Sequence, residues 1–154
     1  CRRDPGNDAV LQLTPNGVAH VGHYTRWEVV PHVRDIGAAN AAPSTIPVVS
    51  ALDGRPVTRV LTAEDVRRDN PILCKSGART GLSCGPVIEV TDTVVKFRAW
   101  DDLGDSGSPV YVIQPDNTVG AVGVLYAHSD DAQGRIIHAT LVAPVMNEWG
   151  LTLW

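Results

Sequence analysis

The first residue with chemistry in this chain is a serine placed between an acid and a glycine. Ser106 stands in Gly104-Asp105-Ser106-Gly107-Ser108-Pro109-Val110. Glycine lets the backbone take conformations that a side chain forbids. The glycines around Ser106 therefore suit a tight turn that pushes the hydroxyl outward with backbone N–H groups beside it. Such N–H groups can form an oxyanion hole, where preorganised donors meet the charge that develops on an attacked carbonyl oxygen. The hydroxyl becomes a nucleophile only when a base takes its proton and an acid orients that base. Taken alone, the stretch also reads as an ordinary Gly/Ser/Pro loop between strands.

The elements that must position such a loop are short and mostly extended. Glycine (14) and proline (11) are plentiful and the apolar runs are brief, which favours an all-β fold with many turns. Asn16-Gly17 between Val10–Leu13 and Val18–Tyr24 predicts a hairpin. Arg26–Val33 reads as a further strand, Val48–Val49 as a brief one, and Thr62–Asn70 as a helical turn started by Thr62. Downstream, strands are expected over Ile72–Cys74, Pro86–Val90, Thr93–Trp100, Val110–Ile113, Val119–Tyr126 and Arg135–Thr140. Val142–Trp149 reads as a short C-terminal helix, with Pro144 near its start and Gly150 beyond its end.

Composition excludes several classes. The chain has 154 residues, 44% hydrophobic and 19% charged, which suits a folded domain with a real core. Its net charge is −4 with no basic patch, which argues against nucleic acid as a partner. No apolar run is long enough for a membrane span. The chain opens on Cys1-Arg2-Arg3-Asp4 without a secretory leader, so a mature or truncated product is expected.

The Ser106 stretch resembles the nucleophile loop of chymotrypsin-fold serine proteases, whose usual form has glycine where this chain has Ser108. Upstream, Cys74-Lys75-Ser76-Gly77-Ala78-Arg79-Thr80-Gly81-Leu82-Ser83-Cys84-Gly85 is similar to the cysteine-bracketed hairpin of the bacterial, secreted branch, the streptogrisin and α-lytic proteases. The resemblance covers nearly the whole chain, most strongly from Cys74 onward. It implies a chymotrypsin-like double β-barrel with an incomplete first barrel and a short C-terminal helix. Residues 1–60 would be the remainder of the N-terminal barrel, and residues 61–154 the C-terminal barrel. The implied activity is peptide-bond hydrolysis by a secreted, trypsin-like endopeptidase without cofactor or metal, acting on protein or peptide substrates.

Residue roles follow from that resemblance. Ser106 would be the nucleophile, and the backbone N–H groups of Gly104 and Ser106 the oxyanion hole. Asp105 would be buried and structural. The acid of this family lies N-terminal to the serine at the head of a short apolar strand, and Asp35 in Asp35-Ile36-Gly37-Ala38 fits that setting better than its rival Asp8. Cys74 and Cys84 bracket a Gly-rich turn and would form a hairpin disulfide. The strand ending in Tyr126, Ala127 and His128 would form the wall along which substrate lies. Ala127 and His128 are larger than the glycine the family usually carries there. Trp100 and Leu103 would give the pocket an apolar lining.

The base does not match. The family's histidine sits in a Gly-His-Cys context that this chain lacks, while Cys1 is followed by the turn-like Arg2-Arg3-Asp4-Pro5-Gly6. The chain is therefore expected to start one residue after the catalytic histidine, leaving Cys1 unpaired. His20 and His23 are three apart in a strand and are expected on opposite faces, as ordinary strand residues. Spacings of cysteine and histidine do not fit the usual zinc pairs. Two other functions compete: a non-catalytic protease-like binding domain, and an α/β-hydrolase esterase. The esterase elbow is Gly-x-Ser-x-Gly inside strand–helix units, and neither the spacing nor those units are present.

Overall fold

The computed structural model describes residues 8–41 and 50–153. The expected brief strand at Val48–Val49 and the expected unpaired Cys1 lie outside the described residues. Strands β1 (Ala9–Thr14), β2 (Gly17–Val30) and β3 (Arg34–Ala41) form an antiparallel sheet in that order. The Asn-Gly signal lands on its first hairpin, where Thr14 faces Gly17 across a Pro15-Asn16 turn.

β2 is one strand of 14 residues where the sequence pattern predicts two. Two β-bulges account for the difference, since a bulge shifts register without ending the pairing. One lies at Thr25, where Tyr24 pairs with Ala39 but Arg26 with Ala38. The other makes Val21 extra, because Val10 pairs with Gly22 and Leu11 with His20. That extra residue turns His20 to the same side as His23, and their ring centroids lie 4.5 Å apart. The expectation of opposite faces is corrected accordingly.

A small hairpin follows, β4 (Ala51–Leu52) and β5 (Arg55–Val60), then α1 (Ala63–Asp69). Thr62 caps α1 through a capping box: its hydroxyl accepts the Asp65 N–H while Asp65 accepts the Thr62 N–H. The remaining strands are β6 (Ile72–Gly77), β7 (Gly81–Val90), β8 (Val94–Arg98), β9 (Pro109–Ile113), β10 (Val119–Asp131) and β11 (Gly134–Leu141). They run in the order β11-β8-β7-β6-β9-β10, and β10 pairs back with β11. That last pairing closes six strands into a barrel. β5 adds to β10 in parallel, so the chain before residue 61 already touches the barrel sheet.

The core is the barrel's. Val66 from α1 plugs it, and Leu73, Phe97, Val110, Leu125 and Ile137 from five strands are all at most 1% exposed. Each such side chain contributes about 1.5–3 kcal/mol by leaving water. Helix α2 (Val142–Trp149) closes the chain and ends on Gly150 at φ 66°, as Pro144 and Gly150 predict. Cys74 and Cys84 face each other across β6 and β7 and are joined by a disulfide. By contrast, Ile36 is the one buried hydrophobic side chain that β1–β3 contribute among the described residues. Trp27, Val29 and Val30 stay exposed on that sheet. No helix among the described residues is long and apolar enough to cross a membrane.

Candidate active site

The loop between β8 and β9 is built from two tight turns in succession. The Asp105 N–H donates to the Asp102 carbonyl and the Ser108 N–H to the Asp105 carbonyl, both at 3.0 Å. Such turning requires left-handed backbone at two points, and Gly104 (φ 105°) and Gly107 (φ 91°) supply it. The loop is then fastened to β10, because the Gly107 N–H donates to the Leu125 carbonyl and the Leu125 N–H to the Ser108 carbonyl. Ser106 stands exposed at the crest. Among the described residues, its hydroxyl has no hydrogen-bond partner, and the N–H groups of Gly104 and Ser106 have no acceptor.

Beneath Ser106 lies a buried ion pair. Asp105 and Lys75 are both fully buried and meet at 2.7 Å. The Asp105 carboxylate also accepts the Arg79 N–H at 2.8 Å, the Thr80 N–H at 3.2 Å and the Thr80 hydroxyl. Burial pushes this carboxyl up, yet Lys75, Thr80 and the two amides together hold it well below the usual carboxylate range. Gly77 makes room for the pair, since a Cβ there would lie 2.3 Å from the carboxylate. Sequence reading placed Asp105 inside but missed Lys75. Its signal was a lone lysine beside a disulfide cysteine in an otherwise apolar strand.

Asp35 occupies the second position of β3, half-buried, with its backbone bonded to Thr140 of β11. Its charge raises the pKa of Tyr126 on β10, after burial, while Lys96 opposes it. Asp8 sits at the head of β1, on the far side of β2 from β3. Its carboxylate lies 3.5 Å from His23, and both side chains are exposed. Of the two acids, Asp35 is the one on the strand that meets the barrel. Arg34, its neighbour, bridges Glu28 (2.9 Å) and Glu148 of α2 (2.7 Å).

The expected wall residues surround a charged cluster. His128 Nδ1 lies 3.0 Å from the buried Asp101, which also accepts Arg135 at 2.9 Å. The Arg135 guanidinium stacks over the Trp100 ring at 5.2 Å, and Leu103 is largely exposed. Asp101 and Arg135 were not read from sequence, because their pairing joins the segment after β8 to β11 and no local pattern encodes it. His138 faces Ser129 and the edge of Tyr126; burial first, then Lys96, lowers its pKa below the ordinary value. His32 is exposed in the turn between β2 and β3. No group of three or more His, Cys, Asp or Glu among the described residues could hold a metal ion.

A closed six-stranded barrel that carries an exposed Gly-Asp-Ser-Gly loop, with a second antiparallel sheet and a C-terminal helix, has solved counterparts. Nocardiopsis protease superposes with a TM-score of 0.66 at 22% identity, covering 94% of this chain and 78% of that one. The chain has the chymotrypsin fold. Thermobifida fusca protease A gives 0.63 at 24% identity, over 86% of this chain and 73% of that one. Cellulomonas bogoriensis chymotrypsin gives 0.62 at 16%, over 88% and 79%. These similar structures are bacterial chymotrypsin-fold serine proteases. No protein-family model matches the sequence. No curated protein matches it at a significant level.

Proposed function

We propose that the chain is the larger part of a secreted serine endopeptidase, with Ser106 as nucleophile and Asp35 as the acid that orients the base. One observation carries the reading. Ser106 stands exposed on a loop braced from below by the buried Asp105–Lys75 pair, and the Gly104 and Ser106 amides have no acceptor among the described residues. That arrangement is what acyl transfer needs: a hydroxyl beside two donors that wait for an oxyanion. Fold analogy supports it, and the Cys74–Cys84 disulfide fits an oxidising compartment. Substrate backbone would run along β10 from Gly123 to His128, with a peptide side chain entering between Trp100 and His128.

The base would come from outside these 154 residues. Each histidine of the chain has another setting: His20 and His23 in the first sheet, His32 in a turn, His128 on Asp101, His138 on Ser129. A serine hydroxyl without a base is a weak nucleophile at neutral pH. The same observation favours the second reading, a non-catalytic protease-like domain that binds partners. One experiment separates the two. A fluorophosphonate is applied to the 154-residue chain and to a version that includes the upstream coding sequence through a Gly-His-Cys motif. Labelling of Ser106 in the longer protein alone is the expected result. No labelling in either selects the binding domain. Equal labelling in both, abolished by His23→Ala, would put the base inside this chain.

A further inference from the structure

The backbone of Asp35 is bonded to the barrel by a hydroxyl group. Its N–H donates to Thr140 Oγ1 at 3.0 Å, and the Thr140 O–H donates back to the Asp35 carbonyl at 3.3 Å. A threonine hydroxyl has one proton and two lone pairs, so it can make both bonds at once. Thr140 is fully buried within β11, opposite Val124 of β10 and Val94 of β8. Onward from Thr140 the path to the nucleophile is main chain. β10 comes next, and its Leu125 clasps the adjacent Gly107 and Ser108 at the C-terminal end of the loop's last turn. Gly123 allows the close approach of β10, since a Cβ there would lie 2.6 Å from the Thr140 carbonyl oxygen.

The sheet has further attachments: Ile36 of β3 is buried, and β3 also lies against β10. Arg34 pairs with Glu148, and Arg26 lies over the Trp149 ring at 4.8 Å, both on α2. Neither contact touches the strand that carries the nucleophile loop. We propose that Thr140 is a positioning residue for Asp35: its hydroxyl sets the distance between the acid and the strand that holds Ser106. The proposal rests on the reading of Asp35 as the orienting acid. A misplacement near 1 Å in such a site can cost about 100-fold in rate, and the Thr140 hydroxyl ties both backbone groups of Asp35 to β11.

Tyr126 reports on Asp35 without any catalysis. Burial raises its phenol pKa most; Lys96 lowers it and the Asp35 charge raises it, while the His138 ring lies edge-on at 6.2 Å. In the 154-residue chain, carbon-13 NMR of ring-labelled tyrosine follows the titration of each phenol. Asp35→Asn sets the limit, a Tyr126 midpoint lowered by loss of the charge. Thr140→Val keeps the shape, removes the hydroxyl, and is expected to move the midpoint toward that limit. Thr140→Ser keeps the hydroxyl and is expected to hold the wild-type value. A wild-type midpoint in folded Thr140→Val overturns the proposal, as does an unchanged midpoint in Asp35→Asn. Should the valine variant not fold, hydrogen exchange of the wild-type chain decides: a protected Asp35 N–H supports the bond, and exchange at the rate of an exposed amide overturns it. In the histidine-containing protein, Thr140→Val is expected to lower kcat roughly 10–100-fold with KM unchanged, restored by Thr140→Ser. Absence of Ser106 labelling in that protein would sink the endopeptidase reading and leave the titration result standing.

Discussion

Lys75 and Asp105 are the residues whose loss the fold should feel most. Removing one partner leaves a buried charge uncompensated, at a cost of about 3–5 kcal/mol. Lys75→Met should therefore lower the urea midpoint sharply, while Lys75→Met combined with Asp105→Leu should recover much of the loss. The pair also has a signature in pH. An unfolded aspartate titrates near pH ~3.9, and the folded Asp105 lies well below that. Its contribution is complete above the unfolded pKa and is lost as pH falls through the folded one. Wild type should lose stability below about pH 4 more steeply than the double variant. Urea melts across that range would show it, and parallel curves would remove Asp105 as the cause. Gly77→Ala should be nearly as harmful as Lys75→Met, because a methyl group has no room beside the carboxylate.

Among the elements, those with local punctuation were legible and those set by register were not. The first hairpin, the cysteine hairpin and α2 each carry their own stop signals: Asn16-Gly17, the Cys74–Cys84 bracket, and Pro144 with Gly150. The length of β2 was hidden because two bulges restart its alternation, and the sequence gives no sign of which residue is skipped. Asp35 was legible as the head of a strand, whereas Thr140 looks like any β-forming threonine until β3 is seen against β11. Two predictions belong here. Thr62→Ala should cost α1 about 1 kcal/mol through its cap, read as a small shift in the urea midpoint. Reduction of the disulfide should cost roughly 2–3 kcal/mol by the loop-entropy estimate. Alkylation of the folded chain without reduction should leave Cys74 and Cys84 unlabelled, and their labelling would contradict the pairing.

At the scale of the molecule, the barrel and the first sheet are unequal. The barrel owns the core, while β1–β3 leave Leu11, Val18, Trp27 and Val29 in water. Apolar sheet surface of this kind drives association. The 154-residue chain is expected to self-associate with rising concentration in sedimentation velocity. Val29→Lys with Trp27→Ser should weaken that association and leave barrel stability unchanged. A monomer that ignores both concentration and substitution would show the sheet face to be harmless. Hydrogen exchange should likewise find β1 and β2 opening at lower free energy than β9 and β10.

The way Leu125 clasps the Ser106 loop through Gly107 and Ser108 has a further consequence. Ser106, its turn glycines, the brace beneath and the wall beside it all hang on one closed barrel. On the proposed reading, that half of the machinery would be finished without the base. A two-piece version of such a protein would therefore behave as a dormant cartridge. It could be folded, stored and moved in one compartment, then armed by delivery of a short segment carrying the base. Control would lie in the timing of that delivery, with no rearrangement needed around the serine itself.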